Sequence, residues 1–173
     1  MIGYTDFATG VIPRDAPLGW SAVVNPELAL VYACFFPGPE AAGSDGIGLR
    51  FNDLWMQYGG RPFSPWASFE GGTDLTYCLG TENAVGAFAN GLAFSKKQGS
   101  LLGAPTTLTL KSASVRTLRY GTLFAPYKDG TLDKGVKKIE GEKKGLAFHS
   151  GKKSCLLKAD PSFKTLKALE ARV

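Results

Sequence analysis

The chain has 173 residues, 44% of them hydrophobic and 20% charged, with a formal net charge of +5. That length supports one domain with a real core and is too short to expect two. The composition is not that of a disordered chain over the first three quarters, and no apolar run reaches the roughly 18 residues that span a membrane. The charge is uneven. Residues 1–125 hold 8 Lys and Arg against 9 Asp and Glu, whereas residues 126–173 hold 12 against 6. The lysine pairs of "GVKKIEGEKKG" and "SGKKSC" sit beside turn glycines rather than between exposed aromatics, which argues against nucleic-acid binding.

In chain order, "MIGYTDFATGVIPRD" lacks a basic n-region and a continuous apolar stretch, so no secretory signal is expected. "GWSAVV" and "LALVYACFF" read as strands flanking the turn "NPE". "GIGLRFNDLWMQYGG" reads as one long strand, or two with a kink near Asn52 and Asp53. "WASFEGGTDLTYCLGT" places a Gly-Gly turn between two more strands, and "TTLTLKS" with "SVRTLRYGTLFAPY" suggests a hairpin around Ala113. Short strands follow in "GVKKIE", "GLAFHS" and "SCLLKA". "DPSFKTLKALEARV" carries the helix signals of Asp160 as N-cap, Pro161 at the first helical position and a Phe163, Leu166, Leu169 stripe. A weaker helical turn is suggested within "NAVGAFANGLAF", where Gly86 and Gly91 count against it.

Turn signals every 8–12 residues point to a mainly β chain, an antiparallel β-sandwich with a short C-terminal helix. The compositional shift suggests a sandwich portion over 1–127, with basic strands and a helix over 128–173 packed on the same domain. Cys34, Cys78 and Cys155 are far apart and odd in number, with no CxxC spacing. They read as buried thiols of a reducing, cytoplasmic compartment.

Two motifs are set aside. "GLAFHSGKKS" echoes a phosphate-binding loop, but five residues rather than four separate Gly145 from Gly151, and a second lysine displaces the hydroxyl residue. His149 is the only histidine, and it lies in a tail strand where an exposed structural role fits better than catalysis. No metal or cofactor motif occurs.

A third pattern carries chemistry. "LRFNDLWMQYGGRPFSPW", "WASFEGGTDLTYC" and "LGTEN" mix aromatics with polar groups. Trp55, Tyr58 and Trp66 offer flat apolar faces, and Arg50, Asn52, Gln57, Arg61, Asp74, Glu82 and Asn83 offer donors and acceptors. A monosaccharide needs both kinds of surface, and the arginines would also suit a phosphosugar. The competing reading places the Trp and Tyr residues in an ordinary core. If the strand through "TDLTYCLGTEN" stays regular, Asp74, Thr76, Cys78, Gly80 and Glu82 share one face, and Leu75, Tyr77 and Leu79 take the other. Gly80 then leaves a hollow beside Glu82, and a carboxylate partly withdrawn from water there can serve as a general base. The alternative is a carboxylate that caps the backbone of "NAVG".

"DLTYCLGTEN", followed by "TTLTL" and "SVRTLRYGTLFAPY", resembles the C-terminal half of the galactose mutarotase-like (aldose 1-epimerase) family. "GWSAVVNPELALVYACFF" and "LWMQYGGRPFSPW" fit the same half, so the resemblance covers residues 18–127. It implies a large antiparallel β-sandwich (a supersandwich) holding a sugar in a cleft. A glutamate takes the anomeric proton, a histidine protonates the ring oxygen, and no cofactor is needed. By position Glu82 would be that base. Arg50, Trp55, Tyr58, Arg61, Trp66, Asp74 and Asn83 are sugar contacts chosen from the pattern above, not from the family. Family members are longer, and their catalytic histidines lie in the half with no counterpart here. The chain is then a C-terminal piece, a shortened form that binds without turnover, or one completed by a partner such as a second copy.

Overall fold

The computed structural model describes residues 4–59, 77–128 and 130–163. Among these are eleven strands and one short helix, and the strands form four small sheets whose ladders are all antiparallel. The chain divides into two compact units, Met1–Arg14 with Leu49–Ser114, and Asp15–Gly48 with Val115–Val173. This division interleaves the sequence, whereas the composition changes only once, near residue 127.

The first unit is built on β1 (Tyr4–Val11), β4 (Phe51–Tyr58) and β5 (Tyr77–Ala84), in the order β1-β4-β5. Strand β4 alternates as a half-buried strand should: Phe51, Asp53 and Gln57 are buried, and Asn52, Leu54 and Met56 are less so. Helix α1 (Leu92–Gln98) lies between Gly91 and Gly99, both at positive φ. Lys96 and Lys97 fall in its last turn, where the helix dipole favours cations. Seven residues do not hold a helix on propensity alone, and a buried hydroxyl supports this one: Thr106 Oγ1 donates to the Ser95 carbonyl at 2.8 Å. The hairpin of β6 (Ser100–Leu101) and β7 (Ala104–Pro105) turns at Leu102 and Gly103, with φ of 49° and 82°. That is the left-handed pair a two-residue hairpin loop requires.

The second unit contains two sheets, β2 (Leu18–Asn25), β3 (Leu30–Pro37) and β8 (Gly121–Pro126) in the order β2-β3-β8, and β9 (Lys138–Glu142), β10 (Gly145–Ser150) and β11 (Lys153–Leu157) in the order β11-β10-β9. One apolar cluster draws on both: Val31, Ala33 and Phe35 from β3 join Ile139, Leu146 and Phe148, with Tyr127 and Leu132 between. Each phenylalanine at the end of β3 covers a glycine on a neighbouring strand, Phe36 opposite Gly19 and Phe35 opposite Gly121. A Cβ added at either glycine would stand 2.2 Å from a ring carbon. The Phe35 ring is buried within the apolar cluster and would have to shift, so Gly121→Ala is expected to destabilise the protein by about 1–3 kcal/mol through overpacking. A denaturant midpoint equal to wild type would refute that contact.

Several expectations are met and several are corrected. The β2–β3 hairpin, β10 and β11 fall where alternation and turn residues put them, with Asn25 Oδ1 accepting from the Leu28 N–H at 3.1 Å in the first turn. Strand β1 was not anticipated. Residues 46–50 are not part of a strand, so the long element expected through "GIGLRFNDLWMQYGG" shortens to β4, without a kink at Asn52. No hairpin ladder forms around Ala113. A tight turn does, with Ala113 at φ 56° and Ser114 Oγ donating to the Lys111 carbonyl at 2.6 Å, and only Gly121–Pro126 of the second segment is strand. The helix expected from Asp160 does not begin there. Asp160 Oδ1 accepts from the Ser162 N–H at 3.0 Å in a turn, and Phe163 adopts φ 56°, which no right-handed helix allows. The remainder of that helix, and the strand and Gly-Gly turn expected between Trp66 and Thr76, lie outside the described residues.

The three thiols are free, but only Cys34 is buried as expected; Cys155 is intermediate and Cys78 exposed. Cys34 donates to the Tyr32 hydroxyl at 3.0 Å, and burial pushes the Cys155 thiol up. Alkylation of the folded protein should therefore modify Cys78 first and Cys155 more slowly, leaving Cys34 until the protein unfolds. Mass spectrometry of a labelling time course reads that order, and early modification of Cys34 would contradict it.

Candidate functional site

Because β1, β4 and β5 pair in register, residues directly opposite one another share a face. One face carries the rows Phe7, Trp55 and Gly80, Thr9, Asp53 and Glu82, and Thr5, Gln57 and Cys78. Its side chains are interlocked. Phe7 and Trp55 meet edge to face with centroids 5.6 Å apart. Thr5 Oγ1 donates to Gln57 Oε1 at 2.8 Å, and the Gln57 amide donates to the Gly59 carbonyl. The Thr9 hydroxyl lies 2.7 Å from Asp53 Oδ1 and 3.1 Å from the carbonyl of Ala87, whose segment closes over this part of the face.

Of the candidates taken from sequence, Glu82, Trp55 and Gln57 come together on this face. The alternation assumed for Cys78, Gly80 and Glu82 holds through β5. Among the described residues β5 is the outer strand of this sheet, and Glu82 is exposed on it, directly across from Asp53. The position above Gly80 adjoins Trp55, whose Cβ would lie 3.5 Å from an added methyl. Tyr58 and Asn83 fall on the reverse face, where Asn83 Nδ2 donates to Asn52 Oδ1 at 2.7 Å and Tyr58, 41% exposed, donates to Met56 Sδ at 3.6 Å. Tyr77 and Leu79 also lie there, both exposed. Arg50 precedes β4 and spans two carbonyls, with Nη1 donating to Pro105 and Thr107 at 3.1 Å each; burial lowers its pKa. Arg61, Trp66 and Asp74 lie outside the described residues.

The residue that sequence reasoning missed is Asp53. It is 4% exposed, and burial pushes its carboxyl above the ordinary aspartate value, with the Glu82 charge pushing further and the Thr9 hydroxyl pulling back. The available signal was the i, i+2 spacing of Phe51, Asp53, Trp55 and Gln57, which places them on one side of a strand. The only histidine stands in the second unit, where His149 Nε2 lies 3.0 Å from Glu140 Oε2 and Lys138 Nζ lies 2.6 Å from Glu140 Oε1. Lys138, with help from His149, holds the Glu140 carboxyl below its usual value. Among the described residues no three His, Cys, Asp or Glu side chains gather as a metal site would need, and no helix is long and apolar enough to cross a membrane.

The features define a mainly β chain of small antiparallel sheets, one of which sets a carboxyl pair beside two aromatic rings. The sequence matches no protein-family model, and neither a curated protein nor a solved structure matches it.

Proposed function

We propose that the chain is a carbohydrate-binding β protein of the aldose 1-epimerase type, which interconverts sugar anomers with Glu82 as general base. One observation carries this reading: a solvent-accessible carboxylate and an aromatic surface, Glu82 and Trp55, stand side by side on one sheet face. A pyranose presents C–H patches to an aromatic ring while its anomeric hydroxyl reaches a carboxylate. Glu82 takes that proton, the C1 to ring-oxygen bond breaks as the ring oxygen gains one, C1–C2 rotates, and the ring recloses on either face. In this reading the small sheets are parts of an antiparallel β-sandwich. The engagement of Arg50 with two carbonyls supports a neutral aldose over a phosphosugar.

A second reading, sugar binding without turnover, is favoured by the partner of His149. The one imidazole of the chain lies 3.0 Å from a Glu140 carboxylate oxygen in the second unit, away from Glu82 in sequence and sheet, and this reading assigns it no part as the ring-oxygen acid. Exchange NMR on the α and β anomers of several aldoses separates the two. Exchange above the buffer rate that depends on Glu82 supports the epimerase. Tryptophan fluorescence that responds to sugar without exchange supports the binding protein, and the absence of both rejects each.

A further inference from the structure

We propose that Asp53 and Glu82 act as a carboxyl pair holding a single proton, kept on Asp53, so that the pair's one negative charge faces solvent on Glu82. The inference rests on the reading of Glu82 as a base and makes Asp53 its positioning residue.

The argument is a count of protons. Thr9 has one hydroxyl hydrogen and two acceptors within hydrogen-bond reach, Asp53 Oδ1 at 2.7 Å and the Ala87 carbonyl at 3.1 Å. A single Thr9 hydrogen must be shared between the two acceptors, whereas each contact becomes a full hydrogen bond when Asp53 supplies a hydrogen of its own, in the sequence Asp53 O–H to Thr9 O–H to Ala87 carbonyl. The 2.7 Å separation is the ordinary O–H···O distance. With Asp53 ionised, Thr9 must turn toward it, and the carbonyl of a residue only 2% exposed loses that donor. Of the influences on Asp53, burial and the Glu82 charge favour the neutral acid, and a Thr9 hydroxyl donating to it favours the carboxylate. From β1 comes the Thr9 hydroxyl, from β5 the Glu82 carboxylate and from the covering segment the Ala87 carbonyl. Among the described residues, Glu82 is the charged group that acts on Asp53, and it is of like sign. Two carboxylates opposite each other on paired strands repel, and the charge settles on the hydrated one.

The test is a carbon-13 NMR titration of the aspartate carboxyls in the full chain without sugar, comparing wild type with Glu82→Gln. Asp53 is expected to keep its proton above the pH range of exposed aspartates, and to titrate at lower pH in the variant because the like charge is gone. An Asp53 resonance that titrates in the ordinary range in both proteins would overturn the pair. Asp53→Asn, which mimics the neutral acid as a donor to Thr9, should be no less stable than wild type at neutral pH; a large loss of melting temperature there would also count against it. No sugar enters these measurements, so a failure of anomer exchange leaves the carboxyl pair standing, and a failure of the titration leaves the base assignment standing.

Discussion

If Glu82 is the base proposed above, Glu82→Gln is expected to lower catalysed anomer exchange by roughly 100- to 10,000-fold, the range that a positioned general base contributes. The substitution keeps the shape of the side chain and its capacity to hydrogen-bond a hydroxyl, but the amide does not accept a proton from one. Glu82 is exposed on β5, so its replacement removes no buried contact and the fold should survive. The loss should therefore fall on kcat, with sugar-dependent tryptophan fluorescence retained. Trp55→Ala provides the contrast. It removes an aromatic surface and the edge-to-face contact with Phe7, so it should weaken sugar binding while leaving the base in place. Exchange that continues at the wild-type rate in Glu82→Gln would remove the base assignment.

Phe148→Ala is the stability change with the largest expected effect, about 3–5 kcal/mol. Phe148 is fully buried, sits opposite Ile139 and Cys155 in the middle of its sheet, and belongs to the cluster that includes Val31 and Phe35 of β3. Removing the ring loses its transfer energy and leaves a cavity that the flanking backbone ladders on both sides resist closing. For a chain of this size that corresponds to a fall in melting temperature of roughly 6–20 °C. Thermal unfolding followed by near-UV circular dichroism measures it, and a shift of a degree or two would show that the cluster is not packed as described. Phe148→Leu retains much of the volume and should cost less.

The elements that could be read in the sequence are those whose turn residues and alternation agree. Asn25-Pro26-Glu27 breaks an apolar run into β2 and β3, and Gly145 and Gly151 bracket β10. Strand β1 escaped notice because its half-buried face holds Thr5, Phe7, Thr9 and Val11, a period of two written largely in threonine. The opposite error occurred over 106–120. Leucines and threonines alternate there, yet Leu110 and Val115 are exposed and no ladder forms, because alternation states what a strand could bury and not whether a partner strand exists. The same limit governed the site. Parity along β5 was enough to put Glu82 and Gly80 on one face. Bringing in Asp53 required knowing that β4 pairs with β5, which sets Asp53 opposite Glu82 across a stretch of chain that no local pattern encodes.

The two phenylalanines at the end of β3 act as an index. A slip of two residues keeps every side chain on its own face and keeps the backbone bonds, so hydrogen bonding alone does not forbid it. Yet such a slip would set Phe36 against Pro17 or Ser21, and Phe35 against Arg119 or Leu123, in place of the empty positions at Gly19 and Gly121. Side-chain bulk thus selects the alignment, once on each side of the sheet. A synthetic peptide designed to replace either outer strand would have to carry its smallest residue at one fixed place to be accepted.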